Sequence, residues 1–113
     1  MAIDKSLISG STSMLVLKLL EEKPMYGYEM IETLREKSEN VFELKAGTLY
    51  PLLHSLESKD FVRAFEQEVS GKTRKYYELT KEGKKQLHAK KKEWETYSKA
   101  VINVMGGALY GEA

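Results

Sequence analysis

Apolar positions recur at helical spacing in four segments of this chain and at strand spacing in two more. Within residues 5 to 21, Ile8, Leu15 and Leu19 share one face, and Met14, Leu17 and Leu20 broaden it until it demands burial on more than one side. Lys23 and Pro24 end that helix, because the residue before a proline is pushed out of the helical region. A second helix starts around Tyr26 to Tyr28, turns Met30, Ile31 and Leu34 inward and Glu29, Glu32, Arg35 and Glu36 outward, and frays by Asn40. Val41, Phe42 and Leu44 then alternate with Glu43 and Lys45, enough for one very short strand.

The third helix is the one the others frame. In AGTLYPLLHSLESKD, residues 46 to 60, Leu49, Leu52, Leu53 and Leu56 fall at i, i+3, i+4 and i+7 and commit one stripe to a core. Opposite them lie Gly47, Pro51, His54, Ser55 and Ser58, with Thr48 and Tyr50 on the shoulders, and none of these carries a carboxylate. An apolar back and an uncharged, hydrogen-bonding front suit close approach to a polyanion, although any amphipathic helix has such a back. Pro51 has no N–H and so belongs in a first turn, which starts the helix within a residue or two of Thr48 and aims its free N–H groups the way Thr48 and Tyr50 point, as helix ends that hold phosphate do. Asp60 takes the left-handed position at the other end, where glycine is more usual.

Phe61 to Val69 and Lys75 to Thr80 are rich in aromatic and β-branched residues and flank Ser70 and Gly71, which predicts a β-hairpin with SGKTRK at its tip. Tyr76 and Tyr77 are adjacent on a strand, so one of them must face the core. A long proline-free helix follows from Thr80, its N-cap, to about Met105, with Glu82 in its first turn; Gly106 and Gly107 end it and ALYGEA is a tail. Leu87, Trp94, Val101 and Ala108 recur at intervals of seven, with Tyr97 and Val104 between them and Lys90 spoiling the first intermediate position. A seam that is apolar only from Trp94 onward predicts a far half packed on a partner and a wet, lysine-rich near half.

A length of 113 residues bounds the chain to one modest domain with an appended helix. Its net charge of +1 is uninformative until divided along the chain: residues 70 to 92 hold 9 basic and 2 acidic side chains, while residues 1 to 69 hold 8 and 12. That block is an electrostatic footprint for an anionic partner, or a plain solvated helix face. With no cysteine, disulfides and thiolate metal sites are excluded. The longest apolar stretch, Met14 to Leu20, is interrupted by Lys18, so no membrane span or signal peptide is expected and a cytoplasmic location is. Catalysis is poorly supported. Asp4 and Asp60 are the only aspartates, His54 and His88 lie on different helices without metal-ligand spacing, and the paired glycines follow a helix rather than precede one. No enzyme activity, metal or cofactor is expected.

Helix, helix, recognition candidate and basic hairpin, in that order, make an α+β, mainly helical winged helix-turn-helix, over residues 1–80, with a long C-terminal helix and short tail over 81–113. Its candidate DNA contacts are Tyr26, Thr48, Tyr50, Pro51 and His54, with Gly71, Lys72, Thr73, Arg74 and Lys75 from the hairpin. Tyr26 reads equally as a core or surface tyrosine, and His54 more readily as a passive surface residue. A winged helix that docks proteins is the rival reading, and it would be expected to lack the basic tip.

LKAGTLYPLLHSLESKDF, SGKTRKYYELTKEG and the earlier PMYGYEMI resemble the three signature segments of PadR-like transcriptional regulators, over roughly residues 10 to 90. Ser55 departs from the arginine that many relatives have before LE, and Asp60 from their glycine. The resemblance to the compact subfamily with one C-terminal helix implies a homodimeric repressor, built through its last and first helices, that binds an imperfectly palindromic operator in double-stranded DNA. It also implies a small aromatic effector held between subunits, with Trp94 as its platform and Leu7 and Met14 beside it. Tyr97, Val101 and Val104 complete that interface along the last helix.

Overall fold

The computed structural model describes residues 11 to 106. Over these the order is α1 (Thr12–Glu22), β1 (Met25–Tyr26), α2 (Gly27–Lys37), α3 (Ala46–Ser58), β2 (Val62–Val69), β3 (Lys72–Leu79) and α4 (Lys81–Met105). The strands form one antiparallel sheet in the order β1-β3-β2. This is the α+β winged-helix arrangement that the periodicity predicts. Ile8, Leu7, Ala108 and the tail expected after Gly106 lie outside the described residues.

The two faces of α1 are both buried, as its broad apolar surface requires: Val16, Leu17, Leu19 and Leu20 are nearly inaccessible. They meet Met30 and Leu34 of α2, Leu49, Leu53 and Leu56 of α3, Val62 and Tyr77 of the sheet, and Leu87 of α4 in one core. Burying each such side chain contributes about 1.5 to 3 kcal/mol, so α3 is held chiefly by three leucines. The outer surface of α1 is tied by charge. Glu22 pairs with Lys37 of α2 at 2.6 Å, and Glu21 lies 3.9 Å from Lys91 of α4.

Three expectations need correction. The alternation at Val41, Phe42 and Leu44 gives no strand; it lies in the connection to α3, where Glu39 and Asn40 turn the chain in left-handed conformations (φ 52° and 68°) and Ser38 Oγ accepts from the Phe42 N–H. Phe42 and Leu44 are apolar because they plug the core, not because they pair. The third strand is instead Met25–Tyr26, which adds to β3 by pairing Met25 with Tyr77 and Tyr26 with Tyr76. The hairpin is also longer than expected. Ser70 (φ 53°) and Gly71 (φ 79°) form a two-residue turn of the kind that matches strand twist, so Lys72, Thr73 and Arg74 are on β3 and not at the tip.

The third correction concerns Pro51. Lys45 is the N-cap of α3 and its carbonyl accepts from Thr48 and Leu49, so the helix begins two residues before Thr48 and Pro51 is its sixth residue. The proline therefore removes a bond that Gly47's carbonyl would otherwise accept, on the exposed side of the helix where solvent or a ligand can replace it. The other end is as expected: Asp60 sits at φ 64°, its N–H bonds the Glu57 carbonyl and that of Phe61 bonds Leu56.

Candidate nucleic-acid interface

The leucine stripe turns the rest of α3 outward. Thr48, Tyr50, Pro51, His54 and Gly47 are all exposed, while Leu49, Leu53 and Leu56 are buried and Ser55 is half-buried. Gly47 has no internal reason to be glycine: it lies in a helix, and a methyl group added there would meet no atom of the protein within 4 Å. Glycine within a helix is less stable than alanine by roughly 0.5 to 1 kcal/mol, so the fold gains nothing from it. A bare backbone there leaves room for something outside the chain.

Tyr50 links α3 to the start of α2. Its hydroxyl lies against Gly27, where a Cβ would collide with the ring tip, so the sequence Tyr26-Gly27-Tyr28 leaves a gap that Tyr50 fills. Tyr26, the N-cap of α2 in extended conformation, is half-buried beside that gap. Lys23 is held 2.9 Å from Glu29 across the short connection before β1, and this hydrogen bond raises the lysine pKa above its ordinary value. The entry to α2 is thus fixed from both sides.

The hairpin divides the candidate residues by face. Strand register places Lys72 opposite Val69, Arg74 opposite Gln67 and Tyr76 opposite Phe65 on one face, while Thr73 opposite Glu68 and Lys75 opposite Glu66 are on the other. Tyr77 belongs to the second face and is buried; Tyr76 belongs to the first. On the first face the Arg74 guanidinium lies 4.3 Å from the Tyr26 ring centroid, Tyr26 meets Tyr76 edge-on at 5.5 Å, and Tyr76 stacks on Phe65 at 5.8 Å. Gly71, at φ 79°, makes the turn. The structure therefore brings Tyr26, Tyr50 and Arg74 together at the start of α2, puts Lys72 on the same hairpin face as Arg74, and sets Thr73 and Lys75 on the other face with two carboxylates.

Phe65, stacked on Tyr76, and Gly27, which makes room for Tyr50, are not among the candidate residues read from sequence, and neither is the open Gly47. Phe65 could have been found from strand alternation with Tyr76, and Gly27 from its position between two tyrosines just inside a helix.

At the far end of the molecule, Trp94 (49% exposed), Tyr97, Val101, Val104 and Met105 stand open to solvent along α4. The Trp94 and Tyr97 rings are 6.3 Å apart, and Tyr97, Ala100, Val101, Val104 and Met105 line a shallow apolar depression. Met14 is half-buried on α1. Thr80 caps α4 by accepting from the Gly83 N–H at 2.9 Å, and it also ties the helix to the end of α3: its hydroxyl donates to the Asp60 carbonyl at 2.6 Å and its N–H to Phe61 at 3.1 Å. Gly83 packs so closely on the Phe61 carbonyl that a side chain there would collide with backbone.

Comparison with known proteins agrees with this architecture. The family model described as the transcriptional regulator PadR-like family matches residues 16–89. A transcriptional regulator from Clostridium thermocellum is similar at 33% identity, with 87% of this chain and 96% of that one covered and a TM-score of 0.81. A PadR family transcription regulator from Clostridium difficile is 39% identical over 84% of this chain and 97% of its own, with a TM-score of 0.72. An uncharacterised protein of Lysinibacillus sphaericus is 34% identical over 106 residues, which are 93% of this chain and 97% of that protein.

Proposed function

The chain belongs to the PadR-like family of transcriptional regulators, and from that premise we propose that it is a homodimeric repressor whose α3 enters the major groove of a palindromic operator. It is a DNA-binding regulator and not an enzyme. Among the described residues no helix is long and apolar enough to cross a membrane.

The observation that carries the reading is the front of α3. Apart from Glu57 near its C-terminal end, its exposed residues are small or uncharged hydrogen-bonding ones, and Gly47 leaves the backbone bare where no part of the fold needs it. On one face of the hairpin, Lys72 and Arg74 supply positive charge that makes no ion pair among the described residues. Thr48 and His54 are the base-reading side chains, while Lys72, Arg74, Tyr50 and Tyr26 meet or frame the phosphate backbone. Residues 1–80 make up the DNA-binding domain and 81–113 the dimerisation helix and a short tail, with the first helix completing the dimer. The exposed Trp94, Tyr97, Val101 and Val104 seam supports the second role, since an apolar stripe this long on one helix is costly unless covered.

In the dimer Trp94 and Tyr97 would offer rings to a small planar aromatic effector, with Met14 beside them and Leu7 in the segment outside the described residues. An effector that changes the angle between the two α4 helices moves α3 through the Thr80, Asp60 and Gly83 contacts, and releases the operator.

Titrating duplex DNA at several salt concentrations tests the reading. Affinity should fall steeply and linearly in the logarithm of salt, and removal of Lys72 should lower that slope by about 1 for every sequence alike. Salt-independent or absent duplex binding would favour the protein-docking alternative.

A further inference from the structure

The hairpin's charges are not equivalent: Arg74 lies over the ring of Tyr26 and Lys75, on the opposite face, over that of Tyr77. Lys72 and Arg74 share a face with Val69, Gln67, Phe65 and Tyr76, whereas Lys75 and Thr73 share theirs with Glu66 and Glu68. Phosphate approaching the second face meets two carboxylates as well as one lysine, and approaching the first it meets cations and rings. Arg74 is half-buried and its guanidinium is laid on the Tyr26 ring at 4.3 Å, with Tyr76 holding that ring edge-on and Phe65 backing Tyr76. A planar cation stacked this way is fixed in direction, which the point charge of a lysine would not be.

Building on the DNA-binding reading above, we propose that the wing meets DNA with one face only, and that Arg74 is a positioning residue. Its stack on Tyr26 couples the hairpin to the start of α2, so that Lys72 is presented at a set distance from the front of α3. A two-stranded ribbon joined by a two-residue turn bends easily on its own. Here the Arg74, Tyr26, Tyr76 and Phe65 ladder stiffens it on the working side. Tyr50 carries the same rigidity onward, because its hydroxyl seats on Gly27 next to Tyr26. Lys75 belongs to the idle face, where Glu66 is its cross-strand neighbour and its ammonium lies 5.6 Å from the Tyr77 ring centroid.

Five single variants, one double variant and two readouts test this. In the DNA-free protein, the side-chain proton resonances of Arg74 should show the ring-current shift of Tyr26, kept in Tyr26→Phe and lost in Tyr26→Leu. With operator or random duplex, Arg74→Lys keeps the charge but loses the flat stack, and should bind about threefold more weakly than the parent. Tyr26→Phe should retain most of the parent's affinity, Tyr26→Leu should match Arg74→Lys, and the two combined should be no worse than either alone. Lys75→Gln should leave the salt slope unchanged, where Lys72→Gln lowers it by about 1. Parent-like affinity of Arg74→Lys, an unshifted Arg74 in the parent, or a slope lowered equally by Lys75→Gln overturns the proposal and leaves DNA binding standing. A parent protein with no salt-dependent affinity for duplex DNA would overturn the reading beneath it, whatever the resonances show.

Discussion

Gly47 costs the fold stability and is required by nothing inside it. Its neighbourhood inside the protein is empty, and it adopts helical geometry that any residue can adopt. Gly47→Ala should therefore raise stability, by up to about 1 kcal/mol in chemical denaturation, through a less flexible unfolded chain and a better helix. The same methyl group projects from the front of α3, so DNA affinity should fall while stability rises. A variant that is both more stable and binds as well would mean that nothing approaches this part of the helix. Gly83 is the opposite case, since its lack of a side chain is demanded from within by the Phe61 carbonyl. Residue identity alone does not distinguish the two glycines. Both stand in the first turn of a helix, and only the packing reveals which one the fold needs.

Elements with a long, one-sided apolar period were legible from sequence, and those with two or three apolar residues were not. The leucine stripe located α3 and its buried face, and the cap at Thr80 with the glycine after Met105 located α4 at both ends. β1 is two residues long, too short for any period, and it exists only because β3 offers it an edge. The alternation of Val41, Phe42 and Leu44 imitated a strand because a plugged turn and a strand both place every second side chain inward. Lys72, Thr73 and Arg74 read as a tip because they carry no apolar signal, whereas their pairing is dictated by the Ser70-Gly71 turn. The division of the hairpin into two faces followed from that register and was therefore hidden as well. At this scale the junction between α3 and α4 makes a sharp prediction. Thr80→Ala removes the cap on Gly83 and the bond to Asp60 together, and should cost about 1 to 2 kcal/mol in unfolding free energy. Thr80→Ser keeps the hydroxyl and should recover most of it. Equal loss in both would shift the explanation from hydrogen bonding to the methyl group.

The whole molecule is elongated, 57 × 30 × 21 Å, because α4 runs for 25 residues, about 37 Å, and its far half leaves the core. Leu87 is buried, but from Lys92 onward most side chains are exposed, including Trp94, Tyr97, Val101 and Val104. That geometry suits two α4 helices laid against one another. Val101→Asp with Val104→Asp would place like charges in the seam, and the double variant should sediment as a monomer. A dimer of unchanged stability would put the seam elsewhere. Trp94 is the sole tryptophan, so its fluorescence reports on the proposed effector site directly. Planar aromatics that quench it should weaken operator binding; a tenfold effect needs only about 1.4 kcal/mol of preference for the released state. Quenching without any change in operator affinity would separate the site from regulation. The central claim is that paired α3 helices read sequence, and selection of bound duplexes from a random pool tests it most directly. The parent should enrich an imperfect palindrome with half-site centres about 34 to 36 Å, one helical turn, or a multiple of it, apart. Thr48→Ala or His54→Ala should change the preferred base at matching positions in both halves, while Lys72→Gln weakens binding without changing the motif. Enrichment of no motif by the parent, or the same motif for all four proteins, would contradict it.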